Sequence, residues 1–345
     1  MAAITDQITI ATLAMHGDLN AAVLSRDSAA LRIMQDKSSE NTGSPVKVKI
    51  RYKRNNGGWY SGFDQFNTTR VEQFAEGSLN WANVYVNVTV DEDTLVENAS
   101  MNIRDLMGIN DIKKIPARDR NTIFNLFGEE MGGALDDIRK LMADALYNGD
   151  ITTDAKKFDG FTKITKKDTS YAGISHTELG ALDYGTNGFL SGGTDNIWAG
   201  RYKTNSSTAL TLDLLADALN DANQGGADAV DCIFVPLDIY SSLELQLEGQ
   251  KTRQNENMAA IGFRQNIEWV SFGATIYPDP YCPADTVYGI NSNHTRLMVH
   301  PSLNMDFSGF KEPTDQAAIT GQLKLKTVLY CDDRAKNFQL AAVTA

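Results

Sequence analysis

The sequence predicts an α+β fold, and three observations predict it. Residues 118–148 carry an unbroken helical periodicity, 46–52 and 81–90 alternate strictly, and helix and strand patterns mix from Leu210 to Asn291. With 345 residues, 42% of them hydrophobic and 22% charged, the chain is long enough for two cores.

The elements follow in order. Residues 1–44 are small, polar and weakly periodic, which reads as an arm with a short helix near Asn20 to Met34, ending in the turn formers KSSENTGSP. In the next stretch Val46, Val48, Ile50 and Tyr52 share one face of a strand, and Lys47, Lys49, Arg51 and Lys53 share the other. Its expected partner is Trp81 to Val90, where Val84, Val86, Val88 and Val90 alternate with Tyr85, Asn87 and Thr89. The connection contains NNGGWYSGF and is too long for a tight hairpin turn. A two-stranded ribbon is marginal alone, so this one rests on another surface, either a neighbour's or its own subunit's. Lysines on such a strand also discourage edge-to-edge pairing.

In the helix of 118–148, Ile123, Phe127, Met131, Ala134, Ile138, Leu141 and Ala145 fall on one face, and Leu135, Met142 and Leu146 widen it. Glu129, Asp136, Asp137 and Asp144 oppose them. Gly149 is expected to close the helix in the left-handed conformation. Gly128, Gly132 and Gly133 each cost about 1 kcal/mol against alanine inside a helix, which suggests a kink or a close crossing there. Phe158-Asp159-Gly160-Phe161 reads as a strand re-entering the core, and residues 166–208 as an irregular boundary.

Beyond it, TLDLLADALNDAN is an amphipathic helix stopped by Gly225-Gly226, and Cys232 to Pro236 is a buried strand. Asp238 is the expected cap of a helix from Ile239 to Leu247. Strands follow around the proline-rich turn PDPYCP, then at Arg296 to His300 and at Gln322 to Cys331, before Asp332-Asp333-Arg334 and an apolar tail.

Composition narrows the function. A net charge of -12 and a pI near 4.8 argue against a protein that coats nucleic acid, because phosphate affinity comes mainly from Lys and Arg. No stretch of about 20 apolar residues occurs, and the N-terminus lacks a basic region before an apolar core, which predicts a soluble product not secreted by that route and no membrane partner. Cys232, Cys282 and Cys331 are distant and odd in number, as expected of free thiols. The Asn-X-Ser/Thr matches are then chance.

Taken together, the order of elements resembles the major capsid protein of tailed bacteriophages, a fold shared with encapsulins. The likeness rests on Trp81 to Val90, the helix of 118–148, FDGF at 158–161, LDLLADAL through FVPLDIYSSLELQ, GATIYPDPYCP with VYGIN, and LKTVLYCDDRAKNFQLAAV. It implies an N-terminal arm (1–44), an extended loop (45–92), a peripheral domain (93–204 and 293–345) around a spine helix (118–148), and an α/β axial domain (205–292). It further implies pentamers and hexamers closing into an icosahedral virion shell around double-stranded DNA, held without specific binding and assembled in the host cytoplasm with a portal. The short arm implies a separate scaffolding protein. An encapsulin-like compartment holding enzyme cargo is the alternative.

On that reading Val46, Lys47, Val48, Lys49, Ile50, Arg51, Lys53, Trp81, Val84, Val86 and Val88 contact the neighbouring subunit. The basic row would face Glu129, Asp136 and Asp137 of its spine helix. A covalent Lys-to-Asn link of some relatives has Lys47, Lys49 and Lys53 as equal candidates.

Catalytic motifs are absent: no Gly-x-x-x-x-Gly-Lys, Gly-x-Gly-x-x-Gly, His-Glu-x-x-His, Cys-x-x-Cys or Gly-x-Ser-x-Gly. The strongest enzymatic alternative is a thiol hydrolase using Cys282 with His294 or His300 and Asp279. The spacing Cys-x11-His-x5-His matches no recurrent metal site, and Asp136-Asp137 and Asp332-Asp333 read as solvated acids. The expectation is a non-enzyme without cofactor or metal.

Overall fold

The structure, a computed structural model, describes residues 28–53, 55–99, 117–179, 198–223, 228–248, 267–269, 273–313 and 316–344. The expectations for the first 27 residues and for the helix stop at Gly225-Gly226 lie outside them. The strands run β1 (Ser39–Glu40), β2 (Val46–Arg51), β3 (Phe74–Leu79), β4 (Ala82–Asp91), β5 (Arg201–Ala209), β6 (Cys232–Val235), β7 (Ile267–Trp269), β8 (Ala274–Pro278), β9 (Thr286–Ile290), β10 (Thr295–Val299), β11 (Asp306–Phe307), β12 (Ala318–Cys331) and β13 (Phe338–Thr344). With the helices among them they make an α+β fold.

The predicted long helix spans Ala117–Asn148 and packs against β4. Its expected apolar face is buried at every position but Leu141. Toward its C-terminus the covered face turns to include Arg139, Ala143 and Tyr147, leaving Leu141 on the open edge. A Cβ added at Gly132 or Gly133 would meet nothing within 4 Å, so among the described residues no close crossing occurs at these two positions.

Gly149 does not take the expected left-handed conformation. It is needed for proximity: a Cβ there would overlap the carbonyls of Ala145 and Phe158, and one at Gly160 would lie 2.6 Å from the Ala145 carbonyl oxygen. The re-entry is a short helix, Phe161–Thr165, where a strand was expected. Its Phe161 stacks on Phe234 at a centroid distance of 5.9 Å.

Two sheets share the chain. In the five-stranded sheet the order is β1-β10-β12-β11, with β4 on the other edge of β12. The six-stranded sheet has the order β5-β13-β9-β6-β8-β7. Helices Leu212–Ala222 and Leu237–Glu248 cover a second core of Leu215, Leu219, Ile233, Ile239, Leu243, Ile276 and Leu340. Asp238 lies inside the first turn of the latter helix and is not its cap.

Two expectations are corrected here. The partner of β2 is β3, from inside the long connection, whereas β4 pairs with β12 over ten registers from Asp91↔Ala318 to Ala82↔Thr327. The final strand β13, expected with the peripheral elements, lies between β5 and β9 in the six-stranded sheet.

Arg334, just after β12, is fully buried. It donates to the carbonyls of Ile164 (2.8 Å), Lys163 (3.0 Å), Lys166 (2.7 Å), Thr169 (2.8 Å) and Trp198 (2.9 Å) and to the Thr169 hydroxyl (2.9 Å). The rings of Tyr171 and Trp198 lie 5.9 Å from it. Burial brings its pKa down to about 10, so it remains charged at neutral pH. At the opposite side, the arm helix Ala29–Asp36 starts on the buried Asp279, which accepts from the Ser28 hydroxyl (2.6 Å) and Ala30 N–H (2.9 Å).

Arg334→Met removes the shared donor of five carbonyls, and unmet buried acceptors cost about 1–3 kcal/mol each. We expect a loss above about 3 kcal/mol or failure to fold, read from urea unfolding, with Arg334→Lys recovering less than half because an ammonium cannot reproduce the guanidinium fork.

Candidate subunit-contact surface

The projecting hairpin is built by alternation. Along β2 the apolar Val46, Val48 and Ile50 are buried, and Lys47, Lys49 and Arg51 are exposed. The buried row joins Leu79 in the main core, so the hairpin's apolar face rests on its own subunit. Gly77 permits this: a Cβ there would lie 2.8 Å from the Ala172 carbonyl oxygen, which accepts from Ser78 N–H at 2.9 Å. Trp81 holds the root. Its Nε1 donates to the Gly43 carbonyl at 2.7 Å, His300 meets its ring edge-on at 5.5 Å, and Lys326 lies over it at 5.8 Å.

Beneath the hairpin is a cavity of about 280 Å³ bordered by Ser78, Asn80, Thr152, Asp159, Lys163 and Tyr171. Lys163 Nζ pairs with Asp150 at 2.8 Å. Burial alone would raise the Asp150 carboxyl, but donors from Lys163 and Thr152 outweigh it and bring the pKa to about 2. Asp159, more deeply buried, is pushed up by burial.

Past β2 the chain leaves the body. Trp59 and Phe63 are fully exposed, and Tyr60, Phe66 and Phe74 are mostly exposed. Local bonds shape this tip: Asn56 Nδ2 donates to the Thr69 carbonyl at 2.8 Å, Ser61 N–H to Asp64 at 2.7 Å, and Tyr60 meets Phe66 edge-on at 5.1 Å.

The structure therefore sorts the contact residues read from the sequence. Val46, Val48, Ile50 and Val88 are covered by their own chain, and Val84, Val86 and Trp81 are half-covered against the same core. Lys47, Lys49, Arg51 and Lys53 stay exposed, although Lys47 pairs with Glu76 across the hairpin at 2.5 Å and lowers that carboxyl's pKa. On the spine helix Glu129 and Asp137 are exposed; Asp136 pairs with the buried Arg139 at 3.0 Å, and Asp137 reaches Lys140 only at 4.0 Å. The tip aromatics Trp59, Tyr60, Phe63 and Phe66 were passed over in the sequence. Their signal was available: four aromatic side chains in a Gly- and Asn-rich loop without helix or strand periodicity.

The residues weighed for thiol chemistry serve elsewhere. Cys282 Sγ lies 3.3 Å from the Thr286 carbonyl oxygen, and burial holds its pKa well above the ordinary thiol value. Asp279 receives the arm helix, His294 bonds Asp332 at 2.7 Å, and His300 Nδ1 accepts from Ser302 N–H. Burial also raises Cys331, to about 12, and Cys232. All three cysteines are free and buried. Among the described residues no helix is long and apolar enough to cross a membrane.

A long helix under a sheet, a second mixed sheet with its own helices and an anchored projecting loop define a subunit of the tailed-phage capsid class. A family profile described as SU10 major capsid protein matches residues 115–332, more than half the chain. The chain belongs to that family, and it is a structural capsid protein.

Solved structures agree on the fold. A chain of the cyanophage A-1(L) capsid asymmetric unit aligns with a TM-score of 0.61 at 12% identity, covering 92% of this chain and 93% of that one. The capsid of a native GTA particle gives 0.51 at 12% identity over 89% and 88%, and a structure from Gordonia phage Cozz gives 0.51 at 12% over 91% and 86%. No curated protein matches the chain in sequence.

Two outcomes test the hairpin seat. Gly77→Val should push β3 off Ala172 and cost about 1–3 kcal/mol, and trypsin should then cut at Lys49 and Arg51, sites the paired strand protects. A carboxyl depressed by folding stabilises above its unfolded pKa, near 4, and loses that contribution as pH falls through its folded value. Asp150→Asn should therefore lower the urea midpoint fully at pH 6, and the deficit should narrow by about half near pH 3.

Proposed function

We propose that copies of this chain form pentamers and hexamers and close into an icosahedral shell around double-stranded DNA, each reaching its neighbour through the loop tip of residues 52–73. The carrying observation is that Trp59 and Phe63 stand fully exposed on a hairpin whose base is fixed. Contiguous exposed aromatics mark a surface made for a partner, and aromatic anchors commonly dominate interface energy. The basic row Lys49, Arg51 and Lys53 supplies register against acidic groups such as Glu129 and Asp137 of the neighbour, because exposed ion pairs contribute only about 0–1 kcal/mol.

On this reading the unit built on β12 and the spine helix is peripheral, and the six-stranded sheet, with β13 included, is axial. A structural rather than enzymatic role is supported by Cys282, which is buried and whose expected partners are engaged elsewhere. The charge of -12 suits a wall that holds DNA without binding it specifically. A separate scaffolding protein and a portal complete the set of partners, and assembly takes place in the host cytoplasm.

Negative-stain microscopy of the purified chain should show closed shells. Trp59→Ala with Phe63→Ala should leave the circular dichroism and melting of the unassembled chain unchanged while cutting particle yield about tenfold or more, since two anchors of about 2 kcal/mol are lost per contact. Undiminished yield from the double variant would defeat the assignment of the tip.

A further inference from the structure

Two short stretches carry the chain between the sheets: 291–294 joins β9 to β10, and 332–337 joins β12 to β13. They lie side by side. Asn337 Oδ1 accepts from Asn291 N–H (2.9 Å) and the Thr295 hydroxyl (3.2 Å), and Asp332 N–H donates to the His294 carbonyl (3.2 Å). The imidazole of His294 sits over this junction with its Nδ1 at 2.7 Å from Asp332 Oδ1. Its Nε2 is out of contact with solvent and has no hydrogen-bond partner among the described residues; the nearest carboxylate oxygen, Asp228 Oδ2, is 3.7 Å away. Asp332 follows the main strand of the five-stranded sheet, and Asp228 stands on the segment leading into β6 of the six-stranded one.

A neutral imidazole has one N–H. With Asp332 taking it at Nδ1, Nε2 turns a bare lone pair toward a carboxylate, acceptor against acceptor. Protonation at Nε2 creates a second donor 3.7 Å from the Asp228 carboxylate. We propose that His294 is a proton-operated clasp between the two sheets: the imidazolium adds a charged tie from the Asp228 side chain to the crossover at Asp332, beside the bonds that Lys336 and Asn291 make to the Asp228 carbonyl, and the neutral ring lacks that tie. The other charged groups at the junction fit this direction. Asp333 is half-buried, its carboxyl pushed up in pKa by burial and drawn back in part by the charge of the imidazole, Asp231 accepts from Ser292 N–H at 2.8 Å, and Lys336 Nζ, the cation of the group, is bonded to the Asp228 main-chain carbonyl at 3.3 Å. Carboxylates outnumber that one ammonium, so a second positive charge on the ring is compensated. Histidine is the side chain whose ordinary ionisation lies between pH 5 and 8, so the clasp closes toward acid and opens toward alkali.

The inference does not depend on the shell reading, and its test can be run on the full-length chain in one fixed assembly state. Hydrogen–deuterium exchange, with rates corrected for intrinsic pH dependence, is followed in peptides covering 228–235 and 286–299 at about pH 8 and about pH 5.5. The wild type should gain about two- to five-fold protection at the lower pH, the size of a partly exposed ion pair. Asp228→Ala, at a side chain 60% exposed, should exchange like the wild type at pH 8 and show no gain at pH 5.5. His294→Gln should also show no gain, and Asp228→Ala carries the test alone if the glutamine variant fails to fold. The same gain in wild type and Asp228→Ala, or none in the wild type, would overturn the clasp.

Discussion

The enclosure of Arg334 is the constraint from which the rest of the architecture follows. A guanidinium removed from water must find an acceptor for every N–H or it destabilises the fold by several kcal/mol. Among the described residues no carboxylate bonds it; main-chain carbonyls from the 163–169 turn and from Trp198 surround it. Those carbonyls converge only if the short helix at Phe161 meets the start of β5 where β12 ends. Tyr171 is fixed by the same convergence, donating to the Leu329 carbonyl at 2.8 Å and accepting from Cys331 N–H at 3.0 Å. The next residue, Ala172, is the one on which Gly77 seats the hairpin. One buried charge thus sets the position of the loop proposed to reach the neighbouring subunit.

How much of this was legible in the sequence depends on whether a periodicity names a face or a partner. The 3.6-residue repeat of 118–148 located the spine helix to within a residue, and period-two alternation located β2 and β4. Neither says which strand sits alongside. Val46 to Arg51 and Ala82 to Asp91 both have an apolar face, so pairing them was natural, yet β4 has its longer partner in β12, far along the chain, from Asp91↔Ala318 to Ala82↔Thr327. Non-local pairing leaves no local mark. The short helix at Phe161 was read as a strand because FDGF carries no period at all. The glycines misled in the other direction: Gly149 and Gly160 are where two backbones touch, a requirement that only the folded chain reveals.

The candidate contact surface was legible as a segment, and the structure divides its residues between a covered base and an exposed tip. The valines were taken as the contact face because an apolar strand must be covered, and they are covered, by their own core. The resemblance pointed to residues 45–92, the segment that also carries the proposed tip. What the valine argument missed is that a loop can be held at its base by one apolar set and present a second at its tip. Arg334 itself appeared in the sequence only as the last letter of CDDR, with nothing to show that it is buried; long-range enclosure of a charge has no spacing to read.

That separation of base from tip explains why the aromatics do not fold back. Burying a side chain such as Trp or Phe is favourable by about 1.5–3 kcal/mol, a strong pull for Trp59 and Phe63 toward any apolar surface in reach. Seating Val46, Val48 and Ile50 against the core orients the strands away from the body, and the Ser78–Ala172 bond with the Trp81–Gly43 bond holds them there. Among the described residues nothing of this subunit covers Trp59 or Phe63, and on the proposed reading a neighbour does. A partner carrying the same loop has the same need, and contacts too weak to hold two copies become strong when closure makes each one intramolecular with respect to the rest. An exposed aromatic tip that would be an aggregation hazard on a monomer is, on a rigid base at a fixed angle, a means of addition that repeats with a constant geometry, and constant geometry is what lets a growing sheet of subunits close.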